Sequence, residues 1–421
     1  MKKYLSVITA VVLCLSLIFN FTACSKKASG VPPASDIQSK DLMSEITAST
    51  VSYKKDIKEK SEVFTDFAVR LFKECAKEDN NMLISPLSVL CALSMTANGA
   101  EGDTLEEMER VLGMSVDELN AYVHTYMALL TTSEEYKLKL ANSIWFTDDE
   151  RFSVNKEFLQ VNADHYGADI YQAEFNDAAR DDINAWVKDK TDEMIDSIID
   201  KIPPDAVMYL VNALAFDAEW EEKYGEDMIR DGVFTAEDGV TENAKFMYSE
   251  ENIYIEDENA EGFAKLYKDG KYAFVALLPD EDIELNEYIS SLSGKRLQDM
   301  LTNAQSVCVD TAIPKFETEY KTEMSDALKN MGMSSAFTSC ADFSKLGLSS
   351  SGPVYINRVL HRTYISVDEN GTKAAAVTAV EMKDECCSVS ERSVHLDRPF
   401  VYMLIDTKTD IPFFIGKITD I

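Results

Sequence analysis

Few residues in this chain are spaced for catalysis. Four histidines stand far apart, at 124, 165, 361 and 395. No His-Glu-x-x-His pair occurs to hold zinc, and no glycine loop is built to wrap a phosphate. Gly347-Leu-Ser-Ser-Ser-Gly352 misses the nucleophile-elbow spacing by one residue. Ser52-Tyr-Lys-Lys55 has the Ser-x-x-Lys spacing of an acyl-transfer pair, but it precedes the globular part and lacks the partner motifs. His361 sits near a strand start among apolar neighbours, where a hydrogen-bonded core histidine is expected. Eight cysteines include no C-x-x-C, which argues against a zinc ribbon or a thioredoxin-type site. An exported hydrolase is therefore a weak reading, and no metal or cofactor is expected.

The chemistry in view is that of a substrate. From Glu369 the chain reads Glu-Asn-Gly-Thr-Lys-Ala-Ala-Ala-Val-Thr-Ala-Val. With period 2, Thr372, Ala374, Ala376, Thr378, Val380 and Met382 fall on one face. Lys373, Ala375, Val377, Ala379, Glu381 and Lys383 fall on the other. One side suits burial and the other water, as in a strand. Asp384-Glu385-Cys386-Cys387-Ser388 follows with no strand logic. The stretch reads as an exposed loop carrying the pattern of a strand it could become. The same alternation also fits an ordinary edge strand or the start of an Ala-rich helix.

Elements that could position this loop can be read along the chain. Phe64, Phe67, Ala68, Leu71, Phe72 and Cys75 recur at helical spacing. Ser85-Pro86 starts a helix by capping and by proline in the first turn, with Gly99 to end it. Thr104-Leu-Glu-Glu107 predicts a capping box for a helix ending near Gly113. Ile183 to Ile199 predicts another helix. Leu138 to Phe146 alternates as a strand, and Met208 to Phe216 is apolar enough to be covered on both faces. Tyr272–Leu278 and Val307–Pro314 add strands, Met324–Met331 a short helix, and Val401–Ile405 with Phe413–Ile418 a terminal strand pair. Helices dominate the first half and strands the second, without regular alternation, so the class is α+β.

Composition sets the surroundings. The 421 residues are 46% apolar and 10% aromatic, enough for a substantial core. The balance of 41 Lys+Arg against 74 Asp+Glu gives a net charge of -33. That charge, with no dense basic run, excludes a nucleic-acid binder. Lys54, Lys55, Lys58 and Lys60 read as a solvated face. Lys2 and Lys3 precede an apolar run from Tyr4 to Phe21, a signal peptide over residues 1–23. Phe21-Thr-Ala-Cys24 resembles a bacterial lipobox, with Cys24 as the lipidated first residue and Phe21 in place of the usual Leu. Plain secretion, with Cys24 incidental, is the alternative. Residues 24–60 then form the anchored terminus and tether, flexible from Ser25 to about Asp41. Cys75 and Cys91 read as buried hydrophobes, and no disulfide framework is expected. Residues 61–421 read as one domain.

The chain resembles the serpins from about Phe64 to Ile421. The resemblance is carried in order by Asn81-Met-Leu-Ile-Ser-Pro-Leu-Ser88, Val211-Asn-Ala-Leu-Ala-Phe-Asp-Ala-Glu-Trp220, Ile313-Pro-Lys-Phe316 and Gly332-Met-Ser-Ser-Ala-Phe337. Ala341-Asp-Phe-Ser344, the 369–380 stretch, Asp397-Arg-Pro-Phe400 and Phe414-Ile-Gly-Lys417 follow. It implies the serpin fold: a large main sheet with helices packed on it and an exposed reactive-centre loop over about 369–395. Ser85, Ser88, Asn212 and His361 would form the shutter under the sheet centre, and Trp220 would lie at the breach. Glu369, Gly371, Thr372, Ala374, Ala375 and Ala376 would belong to the hinge. The implied activity is suicide-substrate inhibition of an extracellular serine protease by a monomer held to the membrane through its lipid. No residue would be catalytic. The family's usual Glu after the hinge Thr is Lys373 here, on the outward face. The usual interval from Thr372 puts the cut at Glu385-Cys386, and a one-residue shift puts it at Cys386-Cys387. Elastase-like enzymes are favoured, since a small Cys suits their pocket. Lys383-Asp384 fits trypsin-like enzymes poorly. Exposed vicinal thiols would also make inhibition redox-sensitive, or they are simply small residues fitted to a pocket. A non-inhibitory serpin acting as a surface binder or scaffold is the alternative function.

Overall fold

The alternating run at Leu138 and the apolar run at Met208 become the two long central strands of a seven-stranded sheet. The computed structural model describes residues 37–52, 58–130, 136–150, 152–203, 206–350, 352–372 and 392–421. In chain order the sheet strands are β1 (Lys40–Asp41), β2 (Tyr136–Thr147), β3 (Asp169–Ala173), β4 (Met208–Glu219), β5 (Phe316–Glu323), β6 (Val359–Val367) and β7 (Gly371–Thr372). Their spatial order is β1-β3-β2-β4-β7-β6-β5. β2 and β4 pair antiparallel over eleven rungs, Tyr136–Ala218 to Phe146–Met208.

Two further sheets complete the β part. One has six strands and is built around Tyr272–Pro279, Phe400–Asp406 and Ile411–Ile418, so the terminal strand pair lies inside it. Met82–Ile84, which the sequence reading did not single out as a strand, is its edge strand. The other has four strands, with Arg392–His395 parallel to Val309–Pro314 at one edge. Residues 392–395, expected within the exposed loop, are thus sheet.

The two faces of β4 lie in different cores. Its even residues face the larger core, where Phe216 meets Tyr272 and Phe413 of the six-stranded sheet at ring-centroid distances of 5.6 and 5.3 Å. Helix α1 (Ser61–Cys75) and helix α2 (Pro86–Ala97) pack in that core. All twelve residues of α2 are buried. It therefore has no exposed polar stripe. Cys91 is fully buried as expected, whereas Cys75 is only half-buried.

The odd residues Tyr209, Val211 and Ala213 lie under helix α3 (Asp177–Lys190) and the segment after it. This helix differs from the 183–199 expected. It starts earlier because Asn176 caps it, accepting from the Ala178 and Ala179 N–H groups. It stops at Lys190 because Asp192 and Glu193 take positive φ, 49° and 62°, which no α-helix holds. Ile195, Ile198 and Ile199 still reach the core, held by Asn184, whose Oδ1 accepts from the Ile198 and Ile199 N–H groups.

The capping box at Thr104 does not form. The helix begins at Gly102, Thr104 Oγ1 instead accepts from Asp342 N–H at 2.9 Å, and Glu107 binds Ser335. Both side chains are spent on tertiary contacts. The expected left-handed stop at Gly113 is present, at φ 79°.

Residues 37–52, expected to be tether, are bonded to the domain, the first of them along the sheet edge. Asp182 Oδ2 accepts from Gln38 N–H, Ser39 N–H and Ser39 O–H at 3.1, 2.8 and 2.5 Å. Lys40 and Asp41 then pair with Gln172 and Tyr171. Farther on, Asp164 Oδ1 accepts from Ser49 N–H at 2.6 Å.

Candidate functional site: the loop root and the sheet seam

The loop root is a tight turn that leaves β6 and returns into the sheet. Asp368 N–H donates to Gly371 O at 3.0 Å, and Asp368 Oδ1 accepts from the Asn370 N–H at 2.7 Å. An Asp side chain bonding the backbone two residues on is a common way to brace a turn. Val367 pairs with Thr372 across the turn. On the other side Gly371 and Thr372 pair antiparallel with Glu219 and Ala218 of β4. The hinge, expected wholly in the exposed loop, has therefore placed its first rung inside the main sheet. Gly371 has φ +156°, and a Cβ there would meet Ala218 O at 2.0 Å. Only glycine passes at this point.

Trp220 organises the site around that turn. Its N–H donates to Asn370 O at 2.9 Å and its indole Nε1–H to Asp368 O at 2.8 Å. Tyr224 N–H donates to Glu369 O at 3.1 Å. Below, the Trp220 ring stacks on Tyr267 at 4.6 Å, and the Tyr267 hydroxyl shares a hydrogen bond with Thr372 Oγ1. Thr372 is buried on the larger-core face of the sheet. Lys265 lies buried beneath, paired with Glu251 at 2.6 Å and 4.6 Å from the Tyr224 ring. Burial opposes its charge, but Tyr224 and Glu251 outweigh burial and raise its pKa above the ordinary lysine value. Glu369 pairs with Lys315. Burial works against this carboxylate too, yet Lys315 holds its pKa below the usual range.

The second part of the site is the seam between β4 and β6. These strands pair directly, in parallel, at Leu210–Val359 and Val211–Leu360. The next residues along are Asn212 and His361. His361 Nε2 accepts from Ser85 N–H at 3.0 Å, and complete burial pushes the imidazole pKa down to about 3. Ser85 Oγ accepts from Ser88 N–H at 3.2 Å, capping α2. Asn212 donates to Asn142 across the β2–β4 ladder. Four polar atoms here are buried without a hydrogen-bond partner among the described residues: Ser88 Oγ, Asn142 Nδ2, Asn212 Oδ1 and His361 Nδ1. Buried polar groups are nearly always paired, so four in one patch mark a place that a further polar group would complete.

The structure thus gathers Ser85, Ser88, Asn212 and His361 at the seam and Glu369, Gly371, Thr372 and Trp220 at the root. Ala374, Ala375, Ala376, Glu385, Cys386, Cys387 and Cys24 lie outside the described residues. Sequence reading missed Asn142, Tyr267, Lys265 and Lys315. Asn142 carried a signal, as the polar residue on the otherwise apolar face of the alternating stretch from Leu138 to Phe146. Among the described residues no three His, Cys, Asp or Glu side chains stand close enough to hold a metal ion.

A large main sheet with helices packed on it is the architecture the sequence resemblance implies. The family model for Serpin (serine protease inhibitor) matches residues 62–421. The chain belongs to the serpin family. Serpins are typically protease inhibitors rather than catalytic enzymes. A serpin-like protein of Thermococcus kodakarensis is 30% identical, the match covering 83% of each chain. The leukocyte elastase inhibitor of Xenopus laevis is 28% identical over 85% of this chain and 98% of its own. Among solved structures, the thermophilic serpin tengpin in its native state superposes at a TM-score of 0.88, with 47% identity over 91% of this serpin and all of tengpin. Tengpin in its latent state superposes at 0.77, with 44% identity over 89% of this serpin and all of that chain. This serpin is therefore more similar in conformation to the native form than to the latent one.

Proposed function

We propose that this serpin is a suicide-substrate inhibitor of serine proteases, with no catalytic activity of its own. The observation that carries the reading is a coincidence of register. Thr378 is six residues beyond Thr372. Asn212 is six residues back from Ala218, and His361 six back from Val367, the two partners of Thr372. If the loop continued β7 antiparallel to both neighbours, Thr378 would stand between Asn212 and His361. Its hydroxyl would come within reach of the unpaired Asn212 Oδ1 and His361 Nδ1. The parallel β4–β6 rungs carry the same offset, which sets Asn212 beside His361 with no strand between. A strand admitted there requires the two halves to part sideways without sliding.

The chemistry belongs to the protease. Its serine Oγ adds to the carbonyl carbon of the scissile residue, the C–N bond breaks, and the serine proton passes to the leaving amine. The inhibitor is left as an ester on the protease. Insertion of the freed strand then distorts the protease before water cleaves that ester. About a dozen residues gaining ladder bonds of roughly 1 kcal/mol each supply on the order of 10 kcal/mol. Ala374 and Ala376 would face the core beside Thr372, small enough to enter it without displacing what packs there.

The scissile bond is assigned to Glu385-Cys386 or Cys386-Cys387, and the target to an elastase-like enzyme. The small cysteine side chain and the likeness to a leukocyte elastase inhibitor support this. Mixing with an elastase-type protease is expected to give an adduct that survives boiling in SDS. Cleaved serpin with no adduct would count against inhibition. Mass spectrometry of the released C-terminal fragment fixes the bond.

The N-terminal sequence supports export and anchoring, with Cys24 lipidated and the serpin domain outside the cell. Labelling with a radioactive fatty acid tests this: wild type should carry label in the membrane fraction, and Cys24→Ser should not.

A further inference from the structure

We propose that Arg362 is a positioning residue that latches the main sheet shut from its outer face, through a contact that exists only while the sheet is closed. Its consequence for trapping rests on the inhibitory reading above; the latch itself does not.

The seam has few bonds of its own. β4 and β6 share two backbone rungs, Leu210–Val359 and Val211–Leu360. At the next level Asn212 Oδ1 and His361 Nδ1 have no partner among the described residues. His361 faces the larger core, so its neighbours Leu360 and Arg362 face the other way. On that outer face the chain after α3 crosses from one half of the sheet to the other. On the near side Asp192 pairs with Lys139 of β2. Ile195, Ile198 and Ile199 then pack in one core with Val211 and Ala213 of β4 and Leu360 of β6. On the far side Arg362 Nη1 donates to Ser197 O and, at 2.9 Å, to Ser197 Oγ. Asp200 pairs with Lys321 of β5 at 2.7 Å.

Parting the halves decides which of these contacts must break. α3 is fastened to β3, where Asp169 Oδ2 accepts from Trp186 Nε1–H at 2.8 Å and pairs with Lys190 at 2.7 Å. With the Lys139 pair, this keeps the crossing segment on the β2–β4 half. Admitting a strand moves β6 and β5 away by one strand spacing, about 4.8 Å. Contacts of 2.7 and 2.9 Å do not survive such a step. Lys321–Asp200 is the weaker of the two, because the Asp200 side chain is 78% exposed. The Arg362 side chain is only 18% exposed. Its guanidinium also pairs with Glu319 of β5. β5 and β6 are joined over eight rungs and move together, so that pair persists in the open sheet. One side chain thus makes one contact common to both states and one confined to the closed state. Only the second shifts the balance between them.

The test reads amide exchange at residues 210–213 and 359–362. It compares intact protein with protein whose loop has been nicked by an elastase-type protease. Arg362→Met is expected to quicken exchange at least tenfold in the intact form and to leave the nicked form like wild type. Arg362→Lys is the milder change, since one ammonium cannot serve Ser197 and Glu319 together, and should act in the same direction. Glu319→Gln should leave the intact seam within twofold of wild type. Exchange in the intact Arg362 variants equal to wild type overturns the latch, as does a Glu319→Gln effect as large as that of Arg362→Met. Equal quickening in intact and nicked forms also overturns it, provided nicking raises the melting temperature of wild type. If nicking leaves that temperature unchanged, no strand has entered and the inhibitory reading falls; exchange in the intact form then decides the latch alone.

Discussion

Thr372 Oγ1 and the Tyr267 hydroxyl share a buried hydrogen bond directly beneath the Trp220 ring. It secures the first rung of a strand that the sequence continues for a dozen residues. Tyr267→Phe would leave the threonine hydroxyl unpaired, at a cost of about 1–2 kcal/mol. The proposed insertion keeps this rung after cleavage. Urea midpoints of intact and cleaved protein should therefore fall together; a loss confined to one form would contradict the assignment.

Thr372→Arg should convert the inhibitor into a substrate. A guanidinium would have to enter the packed space beside Tyr267, where the Glu251 carboxylate is already paired with Lys265. The yield of SDS-stable complex is expected to drop at least tenfold while the loop is still cut. Undiminished complex would mean that this side chain does not enter the core.

Thr378→Val separates the two states. Valine has the shape of threonine but cannot complete the patch at Asn212 and His361. The intact protein should keep its stability within about 0.5 kcal/mol, while the cleaved form loses about 1–3 kcal/mol. The gain in denaturation midpoint on cleavage should shrink accordingly. An unchanged gain would show that the register proposed for the inserted strand is wrong.

Acid should weaken the seam through His361. Its folded-state pKa of about 3 lies below the unfolded value of 6.5, so the unfolded chain binds more protons between them. Stability from this group is intact above pH 6.5 and falls by about 1.4 kcal/mol per unit as pH drops toward 3. His361→Gln should show a shallower decline from pH 6 to pH 4 in urea titrations. Parallel profiles would assign the acid sensitivity elsewhere.

Asp182→Ala should free the start of the edge strap. Three hydrogen bonds to one carboxylate oxygen are lost, on the order of 2 kcal/mol locally. Amide exchange at Gln38 and Ser39 should quicken at least tenfold, with β2 and β4 unaffected. Unchanged exchange would show the strap held by other contacts.

Legibility in the sequence followed how local each signal was. Ser85-Pro86 and Gly113 act through their own backbone, and both ends were readable. β2 and β4 announced themselves through alternation and an apolar run. Thr104 and Glu107 looked like a cap but serve Asp342 and Ser335, more than two hundred residues away, which no local pattern reveals. The end of α3 depends on two positive-φ acidic residues, Asp192 and Glu193, that carry no glycine to signal them. Lys40–Asp41 is too short to show a period, so its pairing with β3 was invisible. At the site, family motifs located Trp220, Asn212 and His361. Tyr267, Lys265 and Lys315 lie on other strands and loops, and only folding brings them to the turn.

The turn from Asp368 to Gly371 also sets the phase of everything after it. Strand side chains alternate with period 2, so one residue added or removed here would swap the two faces of the whole inserted segment. Lys373, Glu381 and Lys383 would then be aimed at the larger core, and Thr378 would look out to water. The number of residues in this small bend is thus a heritable constraint as strict as the identity of the loop it launches.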